Sequence, residues 1–166
     1  MKYLTHYPAQ VQAQAQALLD DNQLASFLLE KYPEPHGLRS DSSLFVYVSD
    51  LKQQFLRGSD AISKVQFDPK IQIVKHALGT HTAISRVQGN RLVAKREIRV
   101  AALFKDTPLA FLRMIAVHEL AHIKERNHDK SFYKLCMYME PTYHQLELDL
   151  RLYLTHLEHT NTRLWG

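Results

Sequence analysis

His118, Glu119 and His122 form an H-E-x-x-H string inside the stretch Val117–His128. On a helix turning about 100° per residue, residues 118 and 122 lie about 40° apart, so both imidazoles leave one face and can grip one metal ion. Glu119, about 100° from His118, can reach a water on that metal without following the ligands inward. Two imidazoles with a neighbouring carboxylate make the donor-and-base set of a zinc hydrolase, with Glu119 as the general base on metal-bound water. Such a site needs a third protein ligand and one open position.

His128 is the first candidate for that ligand, six residues beyond His122. It joins the site only if the helix stops and the chain turns back, and Asn127 is the non-glycine type best suited to the left-handed conformation that ends helices. Glu147, on a following helix, is the rival ligand. The spacing equals that of H-E-x-x-H-x-x-G-x-x-H, with Glu125 where that pattern has glycine, so the local turn must differ. Phe111, Ile115, Val117, Leu120 and Ala121 make the motif helix a buried one. Two histidines and a glutamate without a partner there would incur a desolvation cost.

The elements that must position these residues follow from the rest of the chain. The 166 residues make one domain's worth, read as a single unit over 1–166, and a 45% hydrophobic content supplies an ordinary core. No apolar run is long enough to span a membrane. The N-terminal residues lack the apolar segment of a signal peptide, and Cys136 is the lone cysteine, which together point to the cytoplasm. The net charge of +4 is a mild basic bias, compatible with a nucleic-acid neighbour without requiring one. The sequence leaves the oligomeric state open.

Residues 8–57 read as N-terminal helices. The first spans 8–31 and is interrupted near Asp20-Asp21-Asn22; the second runs from Ser43 to Arg57 and stops at Gly58. Residues 64–104 alternate as strands around Val65 and Phe67, 71–74, 80–87 and 97–103, with a turn at 88–90, and predict a small antiparallel sheet. Arg86, Arg91, Lys95, Arg96 and Arg99 cluster there. They read first as the solvated face of an edge ribbon, and alternatively as a contact for an acidic partner. Residues 107–158 carry the metal-binding helix, opened by Thr107 and Pro108, and C-terminal helices. Leu109 and Leu112 belong to the buried face of the first. Leu146, Leu150, Leu154 and Leu157 form a stripe on the last, facing the motif helix. Met137 and Met139 read as core filler. Tyr143, His144, Glu147 and Arg151 are candidates to orient the ligands, and the tail from His159 reads as frayed. The fold class is α+β, a small sheet beside the active-site helix.

The string V-H-E-L-A-H-I-K-E-R-N-H-D-K-S-F-Y resembles the YgjP-like metallopeptidases, and is similar to the H-E-x-x-H-x-x-x-x-x-H-D-x-x-F motif of WLM and SprT-like proteases. The stretches Ala77–Thr82, Glu97–Ala101 and Met139–Glu147 extend the YgjP-like resemblance over residues 8–157. It implies a compact zincin-like domain, zinc on His118, His122 and His128, and Glu119 as catalytic residue. The expected activity is that of a zinc metallopeptidase. Glu119 takes a proton from the metal-bound water as it attacks a peptide carbonyl, and the peptide lies along the sheet edge near 80–103. His81, Tyr133 and His144 are candidates for a second oxyanion donor. Two further readings stand beside this one: a protease acting on DNA-bound or crosslinked proteins, and a non-proteolytic zinc-binding interaction protein.

Overall fold

The computed structural model describes residues 1–71, 83–88 and 91–166, the backbone alone at 83–88 and 91–95. A short 3-10 turn, Lys2–Leu4, buries Tyr3 and Leu4. Helices α1 (Ala9–Asp20) and α2 (Leu24–Lys31) follow. The predicted interruption between them centres on Asn22, whose φ of 54° lies in the left-handed region that asparagine tolerates. Helix α3 (Asp41–Phe55) starts two residues before the expected Ser43. Ser40 and Ser43 exchange side-chain and backbone hydrogen bonds at its N-terminus, forming a capping box. It ends at Phe55, two residues before the expected Arg57, with Leu56 as its C-cap; Gly58, with φ of 80°, lies in the turn beyond.

Strands β1 (Ile62–Asp68), β2 (Ala83–Gln88) and β3 (Arg91–Ala101) form one sheet in the order β1-β3-β2. β2 and β3 pair antiparallel, Ala83 opposite Arg96 and Gln88 opposite Arg91. β1 pairs with β3 in parallel, Val65 opposite Ile98 and Phe67 opposite Val100. The expected all-antiparallel sheet is therefore corrected to a mixed one. Parallel neighbours need a crossover of a dozen or more residues, and the chain from 69 to 90 is long enough to supply it. The predicted strand at 71–74 falls, beyond Ile71, outside the described residues, as do 80–82 and the turn residues 89–90. The Asp41 carboxylate accepts a hydrogen bond from the Phe67 amide and ties α3 to β1.

A second 3-10 turn, Ala102–Asp106, leads to helix α4 (Leu109–Ala121), which carries the motif. Thr107 does not cap it as expected, because its hydroxyl donates to the Phe104 carbonyl instead. Phe111, Leu112 and every residue from Met114 to Ala121 are buried, so most faces of α4 are covered by the surrounding elements. It packs against α3, β3, α5 (Lys130–Met139) and α6 (Tyr143–Thr160). Leu146, Leu150 and Leu154 on α6 are buried as the stripe predicts. Leu109 and Met137 are exposed, against expectation; the first opens α4 and the second lies on the outer face of α5.

The tail is docked, not frayed. Asn161 ends α6 with a φ of 51°, and the chain folds back so that Trp165 is buried. Its indole donates to the Tyr32 carbonyl at 2.7 Å and meets Phe111 and Tyr153 edge to face. One aromatic anchor with a satisfied N–H is enough to hold a polar segment in place. Among the described residues no helix is long and apolar enough to cross a membrane.

Candidate functional site

The last turn of α4 presents His118 and Glu119, and His122 caps the helix at its C-terminal end. Backbone carbonyls concentrate partial negative charge at such an end, which favours a cation. The chain leaves through tight turns. The Ile123 amide donates to the Leu120 carbonyl at 3.0 Å and the Lys124 amide to the Ala121 carbonyl at 3.1 Å. These turns begin the reversal at His122. The expected left-handed turn at Asn127 does not occur: positive φ among described non-glycine residues is confined to Asn22 and Asn161. The Asp129 carboxylate then accepts from the Phe132 amide at 3.1 Å, caps α5 and fixes the backbone beside His128.

This path brings the three histidines together. One ring nitrogen from each of His118, His122 and His128 lies within 4.8 Å of the other two. The Nε2 atoms of His122 and His128 are 2.9 Å apart. His118 and His122 are buried and His128 is exposed, so the group opens to solvent on one side. Phe132, fully buried, supports all three rings at centroid distances of 4.9, 4.6 and 4.9 Å. Sequence reasoning assigned Phe132 no role at the site, yet its place three residues after the capping Asp129 puts it under the three rings.

The outer nitrogens of the buried rings are engaged. His122 Nδ1 lies 2.9 Å from the Glu125 carbonyl, which can only accept, so Nδ1 carries the proton and Nε2 the lone pair. His118 Nδ1 lies 2.7 Å from the Tyr143 hydroxyl. Burial, followed by the charge of Glu147, pushes the Tyr143 phenol far above its ordinary range. Glu119 is buried beside His118. Three imidazoles with oriented outer nitrogens, gathered at a helix C-terminus, fit a divalent cation.

The other predicted residues are placed as follows. Glu147 stands outside the histidine group and pairs with Arg151 at 3.2 Å. Tyr133 and His144 pack their rings 5.4 Å apart, beside Tyr143. His81 lies outside the described residues. Met139 is buried in the core. Of the basic cluster, Arg96 pairs with Asp60 at 3.1 Å and donates to the Ile123 carbonyl at 3.3 Å, strapping β3 to the turn after His122. Arg99 faces Asp68 at 3.8 Å and Glu97 at 3.9 Å. Both arginines thus have acidic partners within the fold. No sequence signal marks Arg96 as a strap, because its partner carbonyl is distant along the chain. Two cavities of about 620 and 810 Å³ lie elsewhere and contain none of the three histidines in their walls.

Comparison with known proteins changes the chemistry assigned to this geometry. A curated relative from Escherichia coli (strain K12), named UTP pyrophosphatase, is 53% identical over 157 residues, covering 95% of this chain and 94% of that protein. No solved structure matches the chain significantly. The relative overturns the expectation of a zinc metallopeptidase, and with it the recognition of the chain as a protease. The substrate in its name is a nucleotide, not a peptide or protein, so the peptide pose on the sheet edge is withdrawn along with the protease acting on DNA-bound proteins. The non-proteolytic zinc-binding reading is withdrawn too, since the relative is named for an enzymatic activity. Zinc itself loses its support, because it rested on peptidase chemistry and nothing in that name indicates it; imidazoles accept several divalent ions. The physical reason for the error is specific. H-E-x-x-H encodes a way to hold a cation and deprotonate a water, and says nothing of whether that water meets a carbonyl carbon or a phosphorus. Residues 68–153, just over half the chain, match the family model described as YgjP-like, metallopeptidase domain. The chain belongs to the YgjP-like family, whose description as a metallopeptidase domain is at odds with the name of its near full-length relative.

Proposed function

We propose that this protein hydrolyses UTP or a closely related nucleoside triphosphate, water adding at the α-phosphorus to release the nucleoside monophosphate and pyrophosphate. The observation that carries this reading is 53% identity to a UTP pyrophosphatase over nearly the whole of both chains. In this reading His118, His122 and His128 would hold a divalent cation, which would supply positive charge and lower the pKa of water when bound. Glu119, buried next to His118, takes the proton of the attacking water and can return it to the leaving oxygen. Phe132 keeps the three rings from turning away. Lys124 and Arg126, on the segment joining His122 to α5, and Lys130, which opens α5, are exposed. They are available to the remaining negative charge of a triphosphate. The same segment carries Glu125 and Asp129, but the Asp129 carboxylate is engaged at the Phe132 amide. A cytoplasmic location belongs to the same proposal, since nucleoside triphosphates and a single unpaired cysteine both fit it.

The test is incubation of the purified protein with UTP and a series of divalent cations, with products separated by anion-exchange chromatography. Equal amounts of UMP and pyrophosphate are expected. Release of orthophosphate with UDP would move the attack to the γ-phosphorus, and an unchanged nucleotide pool with every cation would overturn the reading.

A further inference from the structure

The polar chain behind His118 extends well past the first hydrogen bond. Tyr143 is fully buried, its hydroxyl lies 2.7 Å from His118 Nδ1, and Glu147 follows one helical turn on along α6, its charge helping to raise the phenol. A carboxylate accepts only, so the single phenolic proton is directed toward Glu147. The phenolic oxygen then accepts from His118 Nδ1–H, which leaves the lone pair of His118 on Nε2. Arg151 holds the far side of Glu147, with Nε and Nη2 donating to Oε1 at 3.3 and 3.2 Å. Through Nη1, Arg151 donates to the Tyr3 carbonyl at 3.0 Å.

We infer that Tyr143, Glu147 and Arg151 are positioning residues that fix the tautomer of His118, with the N-terminal turn at Tyr3 as their anchor. The inference rests on the reading that the three histidines hold a cation. His118 and His122 then reach the same tautomer by different means. His122 uses a local carbonyl three residues away, and His118 uses a relay that spans the chain from end to end. Phenol and carboxylate together replace the single carboxylate that commonly backs a metal-bound imidazole.

Metal affinity, read without turnover, tests this. Metal-free protein is titrated with cobalt(II), and binding is followed by visible absorption. Tyr143→Phe removes the acceptor for His118 and is expected to weaken cobalt binding about 10- to 100-fold. Tyr153→Phe is the control: its hydroxyl is buried and has no hydrogen-bond partner among the described residues, so its loss should leave affinity unchanged. Glu147→Gln, at the next link, is expected to weaken binding less than Tyr143→Phe and serves if the latter does not fold. Nitrogen spectra of the histidine rings should show His118 protonated at Nδ1 in the wild type. Wild-type affinity in both relay variants, or His118 protonated at Nε2, overturns the inference and leaves the cation site standing. Failure of the wild type to bind cobalt overturns both.

Discussion

Helix α4 has a buried polar cluster near each end, and the two are built on opposite principles. Toward its N-terminal end, beside Phe111, the fully buried Asp149 carboxylate receives the Tyr32 hydroxyl and the Lys31 ammonium on one oxygen and the Gln145 amide on the other. Every group there points at a complementary group of the same cluster. At the C-terminal end, three imidazoles turn ring nitrogens toward one another, and their hydrogen bonds to Glu125 and Tyr143 lie on the outer side. Saturated clusters hold helices together. Clusters whose like groups converge are arranged for something that is not protein. A buried ionisable side chain therefore signals function less by its burial than by what it faces.

The largest expected effect breaks the comparison at the converging end. Glu119→Gln keeps shape and removes the base, and should lower the rate of UTP hydrolysis by about 10²- to 10⁴-fold with folding stability little changed. Circular dichroism melting beside the product assay checks both halves. A variant retaining a tenth of wild-type activity would remove Glu119 from the role of base. The saturated end should respond in reverse. Asp149→Ala leaves Tyr32 and Lys31 without their acceptor and should cost about 3 kcal/mol of stability, the low end for breaking a buried pair because Lys31 reaches solvent. Its activity per folded molecule should stay near wild type. A variant that melts normally but loses turnover would show that the two ends are coupled.

How much of this was legible in the sequence follows the same division. His118, Glu119, His122 and His128 carry side-chain types and spacings that say what they can do together, and the fold gathers the three histidines. The helices on either side were legible from apolar period, and the break at Asn22 from its polar run. The parallel pairing of β1 with β3 was not, because alternation marks a strand and leaves its neighbour's direction open. The docked tail was missed because Trp165 is one aromatic residue in a polar stretch, and its partners Tyr32, Phe111 and Tyr153 are far apart in sequence. In the proposed reading, the electrophile was missed for a deeper reason. Substrate class is set by groups around a cation site, and Lys124, Arg126 and Lys130 look like ordinary surface residues until a phosphate is placed near them.

Those cations supply a smaller prediction that sharpens the reading of the converging end. Replacing Lys124 and Arg126 together by alanine removes two exposed charges from the segment between the ligands. If they meet the triphosphate, KM for UTP should rise about tenfold, equivalent to about 1.4 kcal/mol, with kcat nearly unchanged. The wild-type KM should itself rise with added salt, and that dependence should be weaker in the variant. Equal KM values at low and high salt for both proteins would assign the triphosphate to other groups.

The smallest effect concerns alkaline stability. Burial, then the hydrogen bond to Asp149, raises the Tyr32 phenol well above its usual range. A phenol titrates at about pH 10 in an unfolded chain. The folded state therefore holds the proton that the unfolded state releases. Stability from this group is fully present below about pH 10 and is lost as pH rises further. Tyr143 behaves in the same sense, through burial and Glu147, so both ends of α4 contribute to alkaline unfolding. The two can be separated by removing one phenol at a time. Urea midpoints measured from pH 9 to 11 should fall steeply for wild type and less steeply for Tyr32→Phe. At pH 9 and below, Tyr32→Phe should be the less stable protein, having lost a donor to Asp149. Its curve should approach the wild-type curve from below as the pH rises, because the protein without the phenol has no proton to lose there. Parallel curves would mean that the Asp149 cluster does not hold the Tyr32 proton, and the contrast between a saturated and a converging end would then rest on geometry alone.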